Sequence, residues 1–331
     1  MNNQVQEKLE LFADNAQSIR NNFIWQSDIA KRLAALAYSL EGRKIDGDAI
    51  KSSHNMIKSE TGVFSSFRGN LAIYMAAALS LHSQPETILA DTLYVYDLLK
   101  QQGFWSSDYL VVTAYEIVVN TEKTLYPHKV QRTKEFYDEM KSNHRFHIGK
   151  DDYIFAAMLA LTDMDVHAGA NKLKKLYLRL KPEFGFFIGA NSILTLSQML
   201  ILGDSTEECV LNLLRLNRTL KKRKIRMDKT YTLPSLGVLG ILGADNNALV
   251  DDLIGARDYL RNQKGFGHFS VSTQELLLYA VSLVTHVYAE STESNIMKAG
   301  VTTSITNLLI AQQVAMIASI SAVSAGAAAS S

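Results

Sequence analysis

The sequence predicts an all-α fold of about seven α-hairpin repeats of roughly 40 residues each, arranged as an α/α superhelix. Seven apolar segments recur along the 331-residue chain, and a polar turn precedes each of them. Their starts lie 41, 39, 43, 40, 40 and 42 residues apart, at Ala30, Leu71, Leu110, Tyr153, Ile193, Leu233 and Glu275. Spacing this regular is typical of a repeat architecture, in which each apolar segment is one helix of a repeat.

A second, amphipathic helix is predicted between successive apolar segments. In residues 86–102, apolar side chains from Ile88 to Leu99 recur at spacings of three to four, and charged residues occupy the remaining positions. This pattern is typical of a helix with one buried face. Each repeat is therefore expected to be an apolar helix followed by an amphipathic one.

The contrast between the two kinds of helix favours a closed arrangement. A helix that is apolar all round must be covered on every side, whereas an open solenoid leaves one layer of helices facing solvent. A closed or nearly closed toroid, with the apolar helices inside, is therefore favoured. An open, strongly curved solenoid whose concave side is filled by the terminal segments remains the alternative.

The whole chain, residues 1–331, is expected to be one all-helical domain. Residues 4–22 form an amphipathic helix that would cap the array, and residues 27–300 hold the hairpin repeats. Residues 303–331 predict a C-terminal helix that continues into a tail rich in Ala and Ser. A membrane span needs about 20 predominantly apolar residues, and Gln312 and Gln313 interrupt this stretch. A packed helix is expected there, with a partner-binding helix and a membrane-inserted one as alternatives.

Composition argues against several classes of function. Hydrophobic residues make up 47% and charged residues 20% of the chain, and the formal net charge is +1. Such a charge gives no overall field that would attract nucleic acid. The dense basic run at 220–229 falls at a predicted helix C-terminus, where cations are common.

The single cysteine, Cys209, is expected to be an inert packed thiol, and no glycine-rich phosphate loop is present, so no cofactor is expected. Residues 1–12 lack secretory-signal features, which favours a cytoplasmic location.

Several stretches resemble a known family. They are TGVFSSFRGN (61–70), FYDEMKSN (136–143), DDYIFAAMLALTD (151–163), LGVLGIL (236–242) and IAQQVAMIASISAVSAGAAASS (310–331). They are similar to a bacterial family known as domain of unknown function four-thousand-and-three, and the resemblance covers nearly the whole chain. It implies a bacterial, single-domain, all-helical, cytosolic protein. It supplies no activity, so no catalytic residue can be carried over.

A candidate site lies in the turns that precede the apolar helices. If the repeats superpose, these turns share one rim, where helix N-termini offer unpaired N–H groups to an anion or a carbonyl group. The candidate pocket residues are Arg68, Asp108, His147, Asp152, Asn191 and His268, with Asn70, Ser107, Asp151, Thr230 and Thr273 nearby. Aromatic residues beside these turns could wall such a pocket; they are Phe64, Phe67, Phe104, Trp105, Phe186, Phe187, Phe266 and Phe269.

A structural interpretation accounts for much of this pattern. Asp108, Asp152, Asn191 and Thr273 stand where ordinary N-cap residues stand, and the phenylalanines could recur because hairpin packing recurs. Arg68, His147 and His268 are not obvious caps, so the pocket hypothesis depends mainly on them. His144 and His147 are spaced for a metal, but no further ligand follows at a recognised spacing, so no metal is expected.

Two functional hypotheses remain. The first is a cytosolic repeat scaffold that binds a protein or peptide partner, as many helical-repeat proteins do. The second is an α/α-toroid enzyme, or a binder of a small molecule or anion, with its pocket at the rim. No paired acidic motif of the kind that glycosidases use is present, and the sequence identifies no catalytic residue.

Overall fold

A computed structural model describes residues 1–24, 26–144, 147–185, 188–203, 207–242 and 246–291. Within these residues the chain forms fourteen α-helices and no strand, which confirms the all-α prediction. The helices are α1 (Asn3–Asn22), α2 (Asp28–Leu40), α3 (Gly47–Glu60), α4 (Ala72–Ser80), α5 (Pro85–Gln101), α6 (Asp108–Val119), α7 (Tyr126–Asn143), α8 (Tyr153–Leu161), α9 (Val166–Phe184), α10 (Ala190–Leu202), α11 (Glu207–Lys222), α12 (Leu233–Ile241), α13 (Asn246–Arg261) and α14 (Thr273–Ser291).

The seven apolar segments are the even-numbered helices from α2 to α14. Helices α8 and α12 begin at the predicted residues Tyr153 and Leu233, and the other five begin within three residues of the predicted position. The amphipathic helix predicted at 4–22 is α1. The C-terminal helix predicted at 303–331 lies outside the described residues. The single domain and the closed superhelix stay predictions.

The helices form two compact units, which we describe separately. One contains residues 18–170 and is called the first unit below; the other contains residues 1–17 and the described residues from 171 to 291 and is called the second unit.

In the first unit, the apolar helices form the core. Every residue of α4 is buried, and only the last residue of α8 is not. Helix α2 packs against α4, and α6 against α8. This burial shows that α4 and α8 are covered on all sides, at a gain of about 25 cal/mol for each Å² of apolar surface removed from water.

The order of pairing within the first unit differs from the expected one. The sequence pairs each apolar helix with the amphipathic helix after it, but the more extensive contact is with the one before it: α3 packs on α4, α5 on α6 and α7 on α8. In the first two pairs, the turn between the helices buries an aromatic side chain, Phe67 and Phe104 respectively.

In the second unit, α10 packs against α12, and α12 against α14, while α11 and α13 pack on α12 and α14. The first residues of the chain belong to this unit. The Asn2 backbone N–H donates to Asp252 Oδ1 at 2.8 Å, and the N-terminal amino group lies 3.7 Å from the same oxygen. Fully buried Phe12 of α1 packs its ring 5.5 Å from Phe266 and 5.2 Å from Tyr279, measured between centroids.

Three helices end in the same left-handed turn. Gly42 (φ 66°) and Gly103 (φ 88°) follow α2 and α5, as their positions predict. Lys224 takes the same conformation after α11 with φ 61°, and the next N–H, that of Ile225, donates to Leu220 O at 2.9 Å. This hydrogen bond satisfies a helix-terminal carbonyl, although the conformation favours glycine. Pro182, expected at a helix end, lies inside the last turn of α9.

Candidate functional site

Three turns of the first unit lie side by side and form what we call the turn surface, residues 61–70, 103–108 and 147–153. The Asp108 carboxylate accepts a hydrogen bond from the Asn70 backbone N–H, which joins the first two turns. The Trp105 backbone N–H donates to the Tyr153 hydroxyl at 3.4 Å, which joins the second and third. The turns therefore form one continuous surface before α4, α6 and α8.

Arg68 hydrogen-bonds to residues of the first turn and of the end of α3. Its Nε donates to Thr61 Oγ1 at 3.1 Å, and its Nη2 donates to the carbonyl oxygens of Lys58 and Thr61. These carbonyls lie at the C-terminal end of α3, where a helix has unpaired acceptors. The guanidinium group therefore caps the C-terminal end of α3, a role that the sequence pattern did not indicate.

Arg68→Ala is expected to lower the free energy of unfolding by about 1–3 kcal/mol, because it removes charge-assisted hydrogen bonds to the end of α3. His268→Ala should change it by less than about 0.5 kcal/mol, because His268 is exposed in a turn. Urea denaturation followed by circular dichroism measures both values. An equally small effect of both substitutions would show that the Arg68 hydrogen bonds contribute little and would leave Arg68 available to a ligand.

The two candidate aspartates do not cap their helices as expected. The N-cap of α6 is Ser107, whose Oγ accepts from the Leu110 N–H at 3.2 Å. Asp108 follows it and contacts the first turn instead; a Cβ at Gly69 would collide with Asp108 Oδ1. Buried Asp152 stands at the N-cap of α8 but accepts from the Gly149 N–H at 2.8 Å, within its own turn.

The remaining candidates are spread over both units. His147 is half-buried on the turn surface, and its N–H donates to His144 O at 2.8 Å. Asn191 and His268 belong to the second unit, and both are exposed. Asn191 is the second residue of α10, one position past the start, so its interpretation as an N-cap is wrong. Ser272, rather than Thr273, caps α14 by accepting from the Glu275 N–H.

Each aromatic turn within the described residues buries one aromatic side chain and exposes another. Phe67, Phe104 and Phe266 are at most 5% exposed, and their rings pack against aromatic residues of neighbouring helices. Phe64, Trp105 and Phe269 are 102%, 71% and 108% exposed. The hairpin-packing interpretation therefore holds for the first set and fails for the second; Phe186 and Phe187 lie outside the described residues.

The electrostatics of the turn surface combine half-buried carboxyl groups with one exposed cation, Lys150. Burial raises the pKa of Asp108 and of Asp151. Exposed Lys150 lies over Trp105, with Nζ 5.6 Å from the ring centroid. A cation above an indole is attracted by the negative face of the ring. The exposed part of this surface is therefore aromatic and basic.

A polar cluster that the sequence analysis missed lies deeper in the first unit. Glu116, in the middle of apolar α6, is 2% exposed. Burial raises the pKa of this carboxyl from 4.5 to about 8, while a hydrogen bond from Asn120 Nδ2, 3.3 Å from Glu116 Oε2, acts in the opposite direction. Burial and then the Glu116 charge raise the pKa of Tyr74 and of Tyr115. The Tyr115 hydroxyl lies 2.9 Å from Nε2 of His82.

A sequence signal for Glu116 exists. It occupies the seventh position of its apolar segment, and the same position is apolar in the other six segments, at Leu36, Ala77, Leu159, Met199, Leu239 and Val281. A lone acid at a position that is otherwise apolar predicts a buried carboxyl group with an altered pKa.

The described residues offer neither a cluster of metal ligands nor a membrane span. No group of three or more His, Cys, Asp or Glu side chains in this part of the chain could hold a metal ion. None of the helices described is both long and apolar enough to cross a membrane.

A family model matches most of the chain. The model of the family described as Protein of unknown function (DUF4003) matches residues 15–314. No curated protein and no solved structure matches the chain at a significant level. The matched range begins within α1 and includes all the other described helices.

Proposed function

The chain belongs to the family described as Protein of unknown function (DUF4003), and from its turn surface we propose that it binds a protein or peptide partner. The exposure of Phe64 and Trp105 is the observation that carries the proposal. Both side chains stand on turns that the Asp108 hydrogen bond joins side by side, and Val63, next to Phe64 in the sequence, is also 75% exposed.

Packing alone does not account for these exposed aromatics. The neighbouring Phe67 and Phe104 already fill the space between the helices, with ring centroids 5.2 Å from Tyr96 and 5.4 Å from Tyr137. A second, exposed aromatic in the same turns adds nothing to the core. Exposed Trp and Phe side chains are typical anchors of protein interfaces, where a few large residues supply most of the binding free energy.

We also propose that the helices form hairpin repeats, about seven in all, as the sequence predicts. One side-chain arrangement supports this. A lysine four residues after a tyrosine lies over its ring, with Nζ 5.9, 5.4 and 5.9 Å from the centroid, in the pairs Tyr96 and Lys100, Tyr137 and Lys141, and Tyr177 and Lys181. The three tyrosines lie 41 and 40 residues apart, which is the spacing of the apolar segments.

Selection of random phage-displayed peptides on the full chain tests the binding proposal. Enriched peptides are expected to lose about tenfold or more in affinity for a Phe64→Ser, Trp105→Ser double variant, since each anchor supplies of the order of 1–2 kcal/mol. Biolayer interferometry measures the affinities.

The matched control is a Leu178→Ser, Leu211→Ser double variant. These leucines are 56% and 47% exposed and belong to the second unit. Peptides should bind this variant as they bind the wild type. Failure to enrich any peptide, or peptides that bind all variants equally, would refute the proposal.

One observation favours a small molecule or anion on the same surface as the alternative ligand. Carboxyl groups with a raised pKa, such as Asp108 and Asp151, cluster at functional sites. A metabolite that raises the Tm of the wild type but not of Asp108→Asn would favour this alternative, because a ligand stabilises the state that binds it.

A further inference from the structure

The exposed charge on and beside the turn surface is mainly positive. Among the described residues 58–70, 100–108 and 141–153, the exposed charged side chains are Glu60 and four lysines, Lys58, Lys100, Lys141 and Lys150. The first three lysines lie in the last turns of α3, α5 and α7, directly before the three turns of the surface.

These lysines are available to a partner. Lys100, Lys141 and Lys150 lie over the rings of Tyr96, Tyr137 and Trp105. Within the described part of the chain, none of the four lysines forms an ion pair with a carboxylate. No direct ion pair therefore holds their ammonium groups within that part of the chain.

Two acids of the same surface, Asp108 and Asp152, accept hydrogen bonds from backbone N–H groups of the turns. Asp152 is 3% exposed and accepts from the Gly149 N–H, and Asp108 accepts from the Asn70 N–H. The positive charge of this surface also affects His54 on α3. Burial and then the charges of Lys58 and Arg68 lower the pKa of His54. An approaching chain therefore meets four exposed lysines, one exposed acid and exposed apolar side chains.

We infer that the partner is an acidic peptide segment, in which Asp or Glu residues alternate with apolar ones. This inference rests on the proposed function and adds the chemistry of the partner. The apolar residues of the segment would cover Phe64 and Trp105, and its carboxylates would lie beside Lys100, Lys141 and Lys150. Opposite charges across an interface chiefly raise specificity and the rate of association, and salt weakens them.

The test uses the full chain and a random copolymer of glutamate and tyrosine, with a lysine and tyrosine copolymer of equal length as the opposite-charge probe. The wild type is expected to bind the acidic copolymer, more weakly as salt rises, and not the basic one. A Lys100→Gln, Lys141→Gln, Lys150→Gln triple variant should weaken binding about tenfold or more. Biolayer interferometry measures these affinities.

A matched triple variant controls for net charge. Lys51 is exposed on α3 and Lys174 and Lys175 are exposed on α9, and none of the three belongs to the residues of the turn surface. Their replacement by Gln removes the same three charges and should change the affinity less than about twofold.

The outcomes separate this inference from the proposed function. No binding of the acidic copolymer, equal binding of both copolymers, or equal loss in both triple variants overturns the inference. Binding to phosphatidylserine vesicles without binding to the copolymer also overturns it, in favour of a membrane surface. If displayed peptides lose affinity for the Phe64→Ser, Trp105→Ser variant but not for the lysine variant, the proposed function stands and the acidic partner falls.

Discussion

Glu116→Gln is expected to reduce the pH dependence of stability between about pH 4.5 and pH 8, and to stabilise the protein at the upper end of that range. In the folded chain, burial raises the pKa of Glu116 from 4.5 to about 8. In the unfolded chain the same carboxyl ionises near its ordinary pKa. Between the two values, the folded state holds a proton that the unfolded state has released.

The sign of the effect follows from that difference. Below about pH 4.5, Glu116 is protonated in both states and has no effect on the pH dependence. As the pH rises from 4.5 to about 8, folding requires the uptake of a proton, so the free energy of unfolding falls by up to about 1.4 kcal/mol per pH unit. Above the folded pKa the loss levels off, on the order of 5 kcal/mol in total. Glutamine has a similar shape and no titrating proton, so it avoids this loss.

Urea denaturation at intervals from pH 4.5 to pH 9 measures the effect. The curves of the wild type and Glu116→Gln should diverge as the pH rises. The control is Glu122→Gln, which removes the same charge from an exposed position. If the wild-type and Glu116→Gln curves stay parallel, the carboxyl is not buried in the way that the structure shows.

The helices could be predicted because their physical cause is local. A run of apolar residues such as that of α8 or α12 is bounded by polar turns, and its predicted start is correct to the residue. The left-handed turns at the glycines after α2 and α5 could be predicted equally well, because such a turn strongly favours glycine. Lys224, in the same conformation, carries no such signal.

The details of the site depend on geometry that spacing does not encode. Ser107 caps α6 in place of the adjacent Asp108, because the first helical residue differs from the predicted one by a few positions. Arg68 contacts the end of α3 through a turn whose path the sequence pattern does not define. The exposure of Trp105 beside buried Phe104 was also beyond prediction, since adjacent aromatics give the same sequence signal.

Phe12→Ala is expected to lower the free energy of unfolding by about 3–5 kcal/mol, because it leaves a cavity at a fully buried aromatic contact. The Phe12 ring packs against Phe266 and Tyr279, so it attaches the predicted capping helix to the turn before α14 and to α14 itself. Phe64→Ala removes the same side chain from a fully exposed position and should cost less than about 0.5 kcal/mol. Urea denaturation of both variants gives the comparison. Equal, small losses would mean that α1 contributes little to the core of the second unit. A large loss in Phe12→Ala alone would show that residues 1–17 are an integral part of that unit, although some 150 residues separate them in sequence from the rest of it.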